Sequence, residues 1–159
     1  MNRPLITLKV ARGAGLHLHA HDYAWIPEFT VKTGRRIDLM GLSPKGQFWA
    51  VEVKSSLEDF RVDDKWPEYL AFCDQFSFAV SPDFPVDVLP ADVGIIITDG
   101  FEHFQKRKPQ NLKALSGAGR KSLLIQFARA SANKGHGLRN RLMALGELDT
   151  DMGIDTTDS

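Results

Sequence analysis

Residues 36–54, Arg36-Ile37-Asp38-Leu39-Met40-Gly41-Leu42-Ser43-Pro44-Lys45-Gly46-Gln47-Phe48-Trp49-Ala50-Val51-Glu52-Val53-Lys54, decide the fold. Two apolar runs flank Ser43-Pro44-Lys45-Gly46, a turn sequence with proline early and glycine late. The pattern predicts two strands, Arg36 to Leu42 and Gln47 to Lys54, joined as a hairpin. With Lys45 at its centre, Leu42 pairs with Phe48, Met40 with Ala50 and Asp38 with Glu52, leaving a five-residue loop. Side chains alternate along a strand, so Glu52 and Lys54 share a face about 6.6 Å apart, while Trp49, Val51 and Val53 enter the other side.

This register has a chemical consequence. Directly opposed side chains in an antiparallel pair have Cβ atoms about 4.5 to 5.5 Å apart, and like charges placed that way repel. Asp38 and Glu52 therefore call for a cation. Mg²⁺ and similar hard ions bind through one or two carboxylates and keep several waters, one of which can act as a nucleophile in phosphodiester hydrolysis. The Lys54 ammonium on the same face suits stabilising the attacked phosphate or positioning that water. A glutamate and a lysine two residues apart are otherwise an ordinary surface ion pair. The aligned aspartate and the apolar strand through 48–53 favour the catalytic reading.

Outward from the hairpin, residues 5–20 read as a helix with Leu5, Leu8, Ala11 and Gly15 or Leu16 near one face, although Gly13 and Gly15 weaken it. Trp25 to Val31 alternates as a strand, and Pro27 places it at an edge or a bulge. After Lys54, Ser55 and Glu58 have capping-box spacing, and Trp66-Pro67-Glu68 marks a second helix start with Tyr69, Leu70 and Phe72 on its apolar face. Phe76 to Val80 and Val93 to Thr98 read as buried strands. Asp99-Gly100 turns the chain into a short partner segment at 101–107, and a closing helix is expected around Arg120 to Ala132 with Leu123, Leu124, Phe127 and Ala130 inward. The order implies a single α/β domain over 1–146, a mixed β-sheet flanked by α-helices, followed by an acidic, flexible tail at 147–159.

The 159 residues suit one fold, and 43% hydrophobic with 25% charged residues is a globular composition. No apolar run is long enough to span a bilayer, and the single cysteine, Cys73, excludes an internal disulfide and a cysteine zinc cage. A cytoplasmic setting is expected. The zero net charge conceals an asymmetry: residues 103–146 carry ten basic side chains and no acid. Lys106, Arg107, Lys108, Arg120 and Lys121 within that block are candidates for DNA-backbone contacts, against the plainer reading of a solvated face. No phosphate loop, nucleophile elbow or dinucleotide fingerprint points to small-molecule chemistry.

Arg35-Arg36-Ile37-Asp38-Leu39-Met40, Val51-Glu52-Val53-Lys54-Ser55-Ser56, Asp59-Phe60-Arg61, Asp64-Lys65-Trp66-Pro67-Glu68-Tyr69, Cys73-Asp74 and Phe78-Ala79-Val80 together resemble the MmcB-like family of DNA-repair endonucleases. That family is assigned to the PD-(D/E)XK nuclease superfamily. The resemblance covers roughly residues 5–131. It implies a restriction-endonuclease-like fold and a nuclease with DNA as partner, Mg²⁺ or Mn²⁺ as cofactor, Asp38 and Glu52 as metal ligands and Lys54 as catalytic lysine. The sequence departs from the pattern in two places. Ile37 stands where the motif has proline, and residues 5–20 lack the acid many members carry in the first helix. Glu28, or with less support Asp22, is the candidate substitute. The missing acid also sustains a rival: a non-catalytic nucleic-acid-binding or repair accessory protein that keeps the nuclease fold.

Other residues are weighed both ways. Asp59, Asp63, Lys65 and Tyr69 follow the motif and are candidates to line the cleft, with helix capping and surface pairing as the plain alternative. Trp66 and Tyr69 fit the core better than a base-stacking platform. His17, His19 and His21 read as exposed histidines at a helix end rather than a metal site, because the glutamate of a zinc-protease motif is absent.

Overall fold

The computed structural model describes residues 3–146; the acidic segment 147–159 lies outside the described residues. The elements are α1 (Arg3–Ala20), β1 (Ala24–Thr30), β2 (Arg36–Leu42), β3 (Phe48–Lys54), α2 (Leu57–Val62), a 3-10 helix (Trp66–Phe72), β4 (Gln75–Val80), a 3-10 turn (Val86–Val88), β5 (Gly94–Thr98), β6 (His103–Arg107) and α3 (Gly117–Ala144). One six-stranded mixed sheet runs β1-β2-β3-β4-β5-β6. β3, β4 and β5 are parallel, and the other neighbours are antiparallel. The α/β class expected from the sequence is the one observed. Two compact units are distinguished: residues 1–121, which hold the whole sheet, and a second beginning at Ser122. α3 starts in the first unit and is longer than the sequence implied; Leu123 and Phe127, one turn apart, are its buried residues.

The hairpin register agrees with the sequence reading, with Leu42 opposite Phe48 and Met40 opposite Ala50. Gly46, at φ 79°, takes the left-handed turn position that favours glycine, and the Ser43 N–H closes the loop on the Gln47 carbonyl at 2.9 Å. Leu39, Trp49, Val51, Val53, Ala79 and Ile96 form one face of the sheet and pack with Val10, Ala14 and Leu18 of α1. The Trp49 indole N–H donates to the Ser77 hydroxyl at 3.0 Å, so its polar atom is satisfied inside that core. On the other face, the rings of Phe76 and Phe78 meet Trp66, and Phe78 also meets Phe60. Trp66 and Tyr69 are therefore packing residues, as expected.

Local expectations are corrected at α1, α2, β1 and His17. The buried stripe of α1 is Val10, Ala14 and Leu18; Leu5, Leu8 and Leu16 face outward. Side-chain size was a poor guide because the helix approaches the sheet at its glycines. A Cβ on Gly13 would lie 1.7 Å from the Thr98 hydroxyl, and one on Gly15 would lie 2.2 Å from the Trp25 ring. The α2 cap is Ser56 rather than Ser55: its hydroxyl accepts from the Asp59 N–H at 3.1 Å, and the Asp59 carboxylate accepts from the Ser55 N–H at 3.1 Å. β1 is an edge strand, as Pro27 required, but Glu28 sits at φ 54° and breaks its alternation.

His17 is the fourth correction, being buried where an exposed side chain was expected. Its Nδ1 lies 2.9 Å from Nδ1 of His103 on β6, the exposed His21 ring N–H donates to the His17 carbonyl at 2.8 Å, and His17 Nε2 has no hydrogen-bond partner among the described residues. Burial first, then the neighbouring His21 and His103, pushes His17 down to about 4. Between that value and the ordinary 6.5, the unfolded chain binds a proton that the folded protein refuses. Stability attributable to His17 is complete above pH 6.5 and is lost as pH falls toward 4, by roughly 3 kcal/mol. Urea unfolding of wild type and His17→Phe from pH 4 to 7 reads this contribution together with its coupling to His21 and His103. Parallel pH curves would contradict it.

Candidate functional site

The β2–β3 ladder closes between Leu39 and Val51, and at the next position the two acids replace it. The Asp38 N–H donates to Glu52 Oε1 at 2.9 Å, and the Val53 N–H donates to Asp38 Oδ2 at 2.8 Å. Each carboxylate thus reaches across to the opposite strand's backbone. Their mutual proximity follows from the hairpin register. Their burial follows from the tertiary structure: Glu52 is 5% exposed, and Asp38 is half-buried.

Burial, with the Asp38 charge beside it, pushes the Glu52 carboxyl up to about 9, against the Asp38 N–H and the Lys54 ammonium. Burial also raises Asp38, opposed by the Val53 N–H and Lys54. Two crowded carboxyls held this way must share protons or accept a cation. The donor set fits a hard divalent ion that takes its remaining ligands from water and phosphate.

Lys54 is buried, and its Nζ lies 2.5 Å from Asp63 Oδ2. Of the other cleft candidates, Asp59 serves the α2 cap, Lys65 is exposed, and the Tyr69 hydroxyl donates to the Arg36 carbonyl at 3.2 Å. Burial and then the charges of Glu52, Asp63 and Asp38 push Tyr69 up to about 12. Glu28 is not gathered into the site. Its side chain is 60% exposed and faces Arg36 at 3.9 Å, and among the described residues no group of three or more His, Cys, Asp or Glu is placed to hold a metal. Asp22 is exposed at the end of α1.

The five candidate phosphate contacts separate into two kinds. Arg107 donates to the Pro90 and Val93 carbonyls, and Arg120 forms a two-pronged ion pair with Asp74 and donates to the Gly46 carbonyl. Lys106, Lys108 and Lys121 are exposed. Asp74 holds the Phe48 N–H, so Arg120 lies at the opposite end of β3 from Glu52 and Lys54. The sequence reading passed over Arg35 and Arg36, the cations nearest Asp38 in the chain. Arg35 is paired with Glu68, and Arg36 is exposed. Their position directly before the motif was the available signal.

Comparison with known proteins bears on the fold and the family. A protein of unknown function from Silicibacter pomeroyi, SPO1766, is 39% identical, with a TM-score of 0.81 over 86% of this chain and 92% of that one. No curated protein matches. None of the described helices is long and apolar enough to cross a membrane. The family model described as DNA repair protein MmcB-like matches residues 2–142, and the chain belongs to that family.

Proposed function

We propose that the protein is a metal-dependent nuclease of the PD-(D/E)XK type, acting on DNA during repair. The observation that carries the reading is the pair Asp38 and Glu52, one half-buried and one buried acid crowded at the end of a hairpin ladder with Lys54 on their face. Asp38 and Glu52 would hold Mg²⁺ or Mn²⁺, and both must then be ionised. When bound, such an ion supplies an acidified water and polarises the phosphate. Lys54 contributes a fixed positive charge where the attacked phosphate gains negative charge. Exposed Lys106, Lys108 and Lys121 supply backbone attraction at the other end of the sheet, where a duplex extends beyond the site. Exposed Arg36 offers a nearer phosphate contact.

The rival, a non-cleaving DNA-binding or accessory protein, draws on the two-acid count and on the exposed position of Glu28. The test is purified protein with Mg²⁺ or Mn²⁺ on single-stranded, nicked, branched and cross-linked DNA. Cleavage of at least one substrate, lost in Asp38→Ala, is expected. Absence of cleavage on all of them, with Mn²⁺ binding that ignores Glu52→Gln, would decide for the rival.

A further inference from the structure

Building on the nuclease reading, we infer that Asp63 is the positioning residue of Lys54 and that it keeps this lysine from occupying the place of the metal between Asp38 and Glu52. Lys54 is the ammonium inside the site, and its side chain is only 6% exposed. An ammonium so placed seeks the strongest anion within reach. Two neighbouring carboxyls, Asp38 and Glu52, feel its charge, and both must ionise to take a metal. Yet it closes on Asp63 at 2.5 Å.

Asp63 takes the ammonium from a fixed position. Its Oδ1 accepts the Lys65 N–H at 2.9 Å, the Trp66 N–H also contributes, and its own N–H donates to the Phe60 carbonyl at 3.2 Å. Although burial opposes it, the Lys54 bond and these N–H donors hold its carboxyl below the usual range. The turn carrying Asp63 is fastened on both sides of β3. Phe60 and Trp66 lie on Phe78, with centroids 5.6 and 5.2 Å away, and Tyr69 bonds the Arg36 carbonyl two residues ahead of Asp38. A turn anchored at both flanks is a mount rather than a movable latch.

The consequence is a division of charge: one carboxylate for the lysine, two for the cation. Removing the Asp63 charge frees Lys54 to pair with Asp38 and Glu52, where it competes with the divalent ion.

Calorimetry with Mn²⁺ on the full chain, alongside cleavage kinetics, tests this. Asp63→Asn keeps an oxygen for the Lys65 N–H and is expected to weaken Mn²⁺ binding about tenfold, with kcat falling and substrate KM little changed. Asp63→Glu restores part of both and guards against a folding artefact. In the Asp63→Asn background, adding Lys54→Met is expected to return Mn²⁺ affinity to near wild type and to raise it by more than Lys54→Met does alone, an excess that a merely structural Asp63 does not produce. Unchanged Mn²⁺ affinity in Asp63→Asn, or no recovery in the double variant, overturns the proposal. Should wild type bind Mn²⁺ but cleave nothing, the nuclease reading fails, while the Mn²⁺ affinities still decide the role of Asp63.

Discussion

Glu52→Gln is expected to reduce metal-dependent cleavage on the order of 10³-fold and at the same time to stabilise the metal-free protein at alkaline pH. The two effects have one source. With its carboxyl raised to about 9 from an ordinary 4.5, folded Glu52 holds a proton that the unfolded chain releases across that window. The stability it contributes is complete below pH 4.5 and is lost as pH rises through 9, amounting to several kcal/mol. Glutamine keeps an acceptor for the Asp38 N–H but cannot ionise, so the alkaline loss disappears. Urea unfolding with a chelator present, from pH 5 to 9, is expected to show wild type falling relative to the variant. Added Mn²⁺ is expected to reverse that slope, because an ion that binds only the folded state stabilises it and takes the place of the proton. Superimposable pH curves for the two proteins would refute this account of the pair.

The largest stability effect is expected from Asp74→Ala, about 3 to 5 kcal/mol. Asp74 ties three segments together. Its Oδ2 accepts the Phe48 N–H at 2.7 Å, and its two oxygens take the Arg120 guanidinium at 2.9 and 2.7 Å. Its backbone meanwhile donates to the Phe48 carbonyl at 2.9 Å and accepts from the Leu112 N–H at 2.9 Å. Alanine leaves the buried Phe48 amide without its acceptor and strips the half-buried Arg120 guanidinium of its carboxylate, with only the Gly46 carbonyl still accepting from it. Arg120→Met is expected to cost less, since Asp74 keeps its Phe48 bond. Because this knot lies at the far end of β3 from Glu52, cleavage per folded molecule is expected to stay near wild type in both variants. A loss below about 1 kcal/mol for Asp74→Ala, read by urea unfolding, would show the knot to be incidental.

Much of the site was legible because a hairpin is a local object. The turn sequence Ser43 to Gly46 sets the loop, the loop sets the register, and the register brings Asp38 beside Glu52. The strand order also carried through, since alternation and turn residues act over a few positions. The face of α1 was misread for the opposite reason. Its sheet contact is governed by Gly13 and Gly15, which matter for the space they leave to Thr98 and Trp25, partners distant in the chain.

The same distinction separates the charged residues. The sequence by itself determined that residues 36–54 form a hairpin, that two acids and a lysine share its face, and that the cations concentrate in 103–146, because period, turn chemistry and composition are local properties. Only the tertiary structure decided which charges are already engaged. It gave Lys54 to Asp63 and Arg120 to Asp74, turned Glu28 outward, and buried His17 against His103 and Trp49. Pairing and burial depend on which segments meet in space, and the desolvation that raises Glu52 and lowers His17, favouring the uncharged form of both, exists only once those segments have packed.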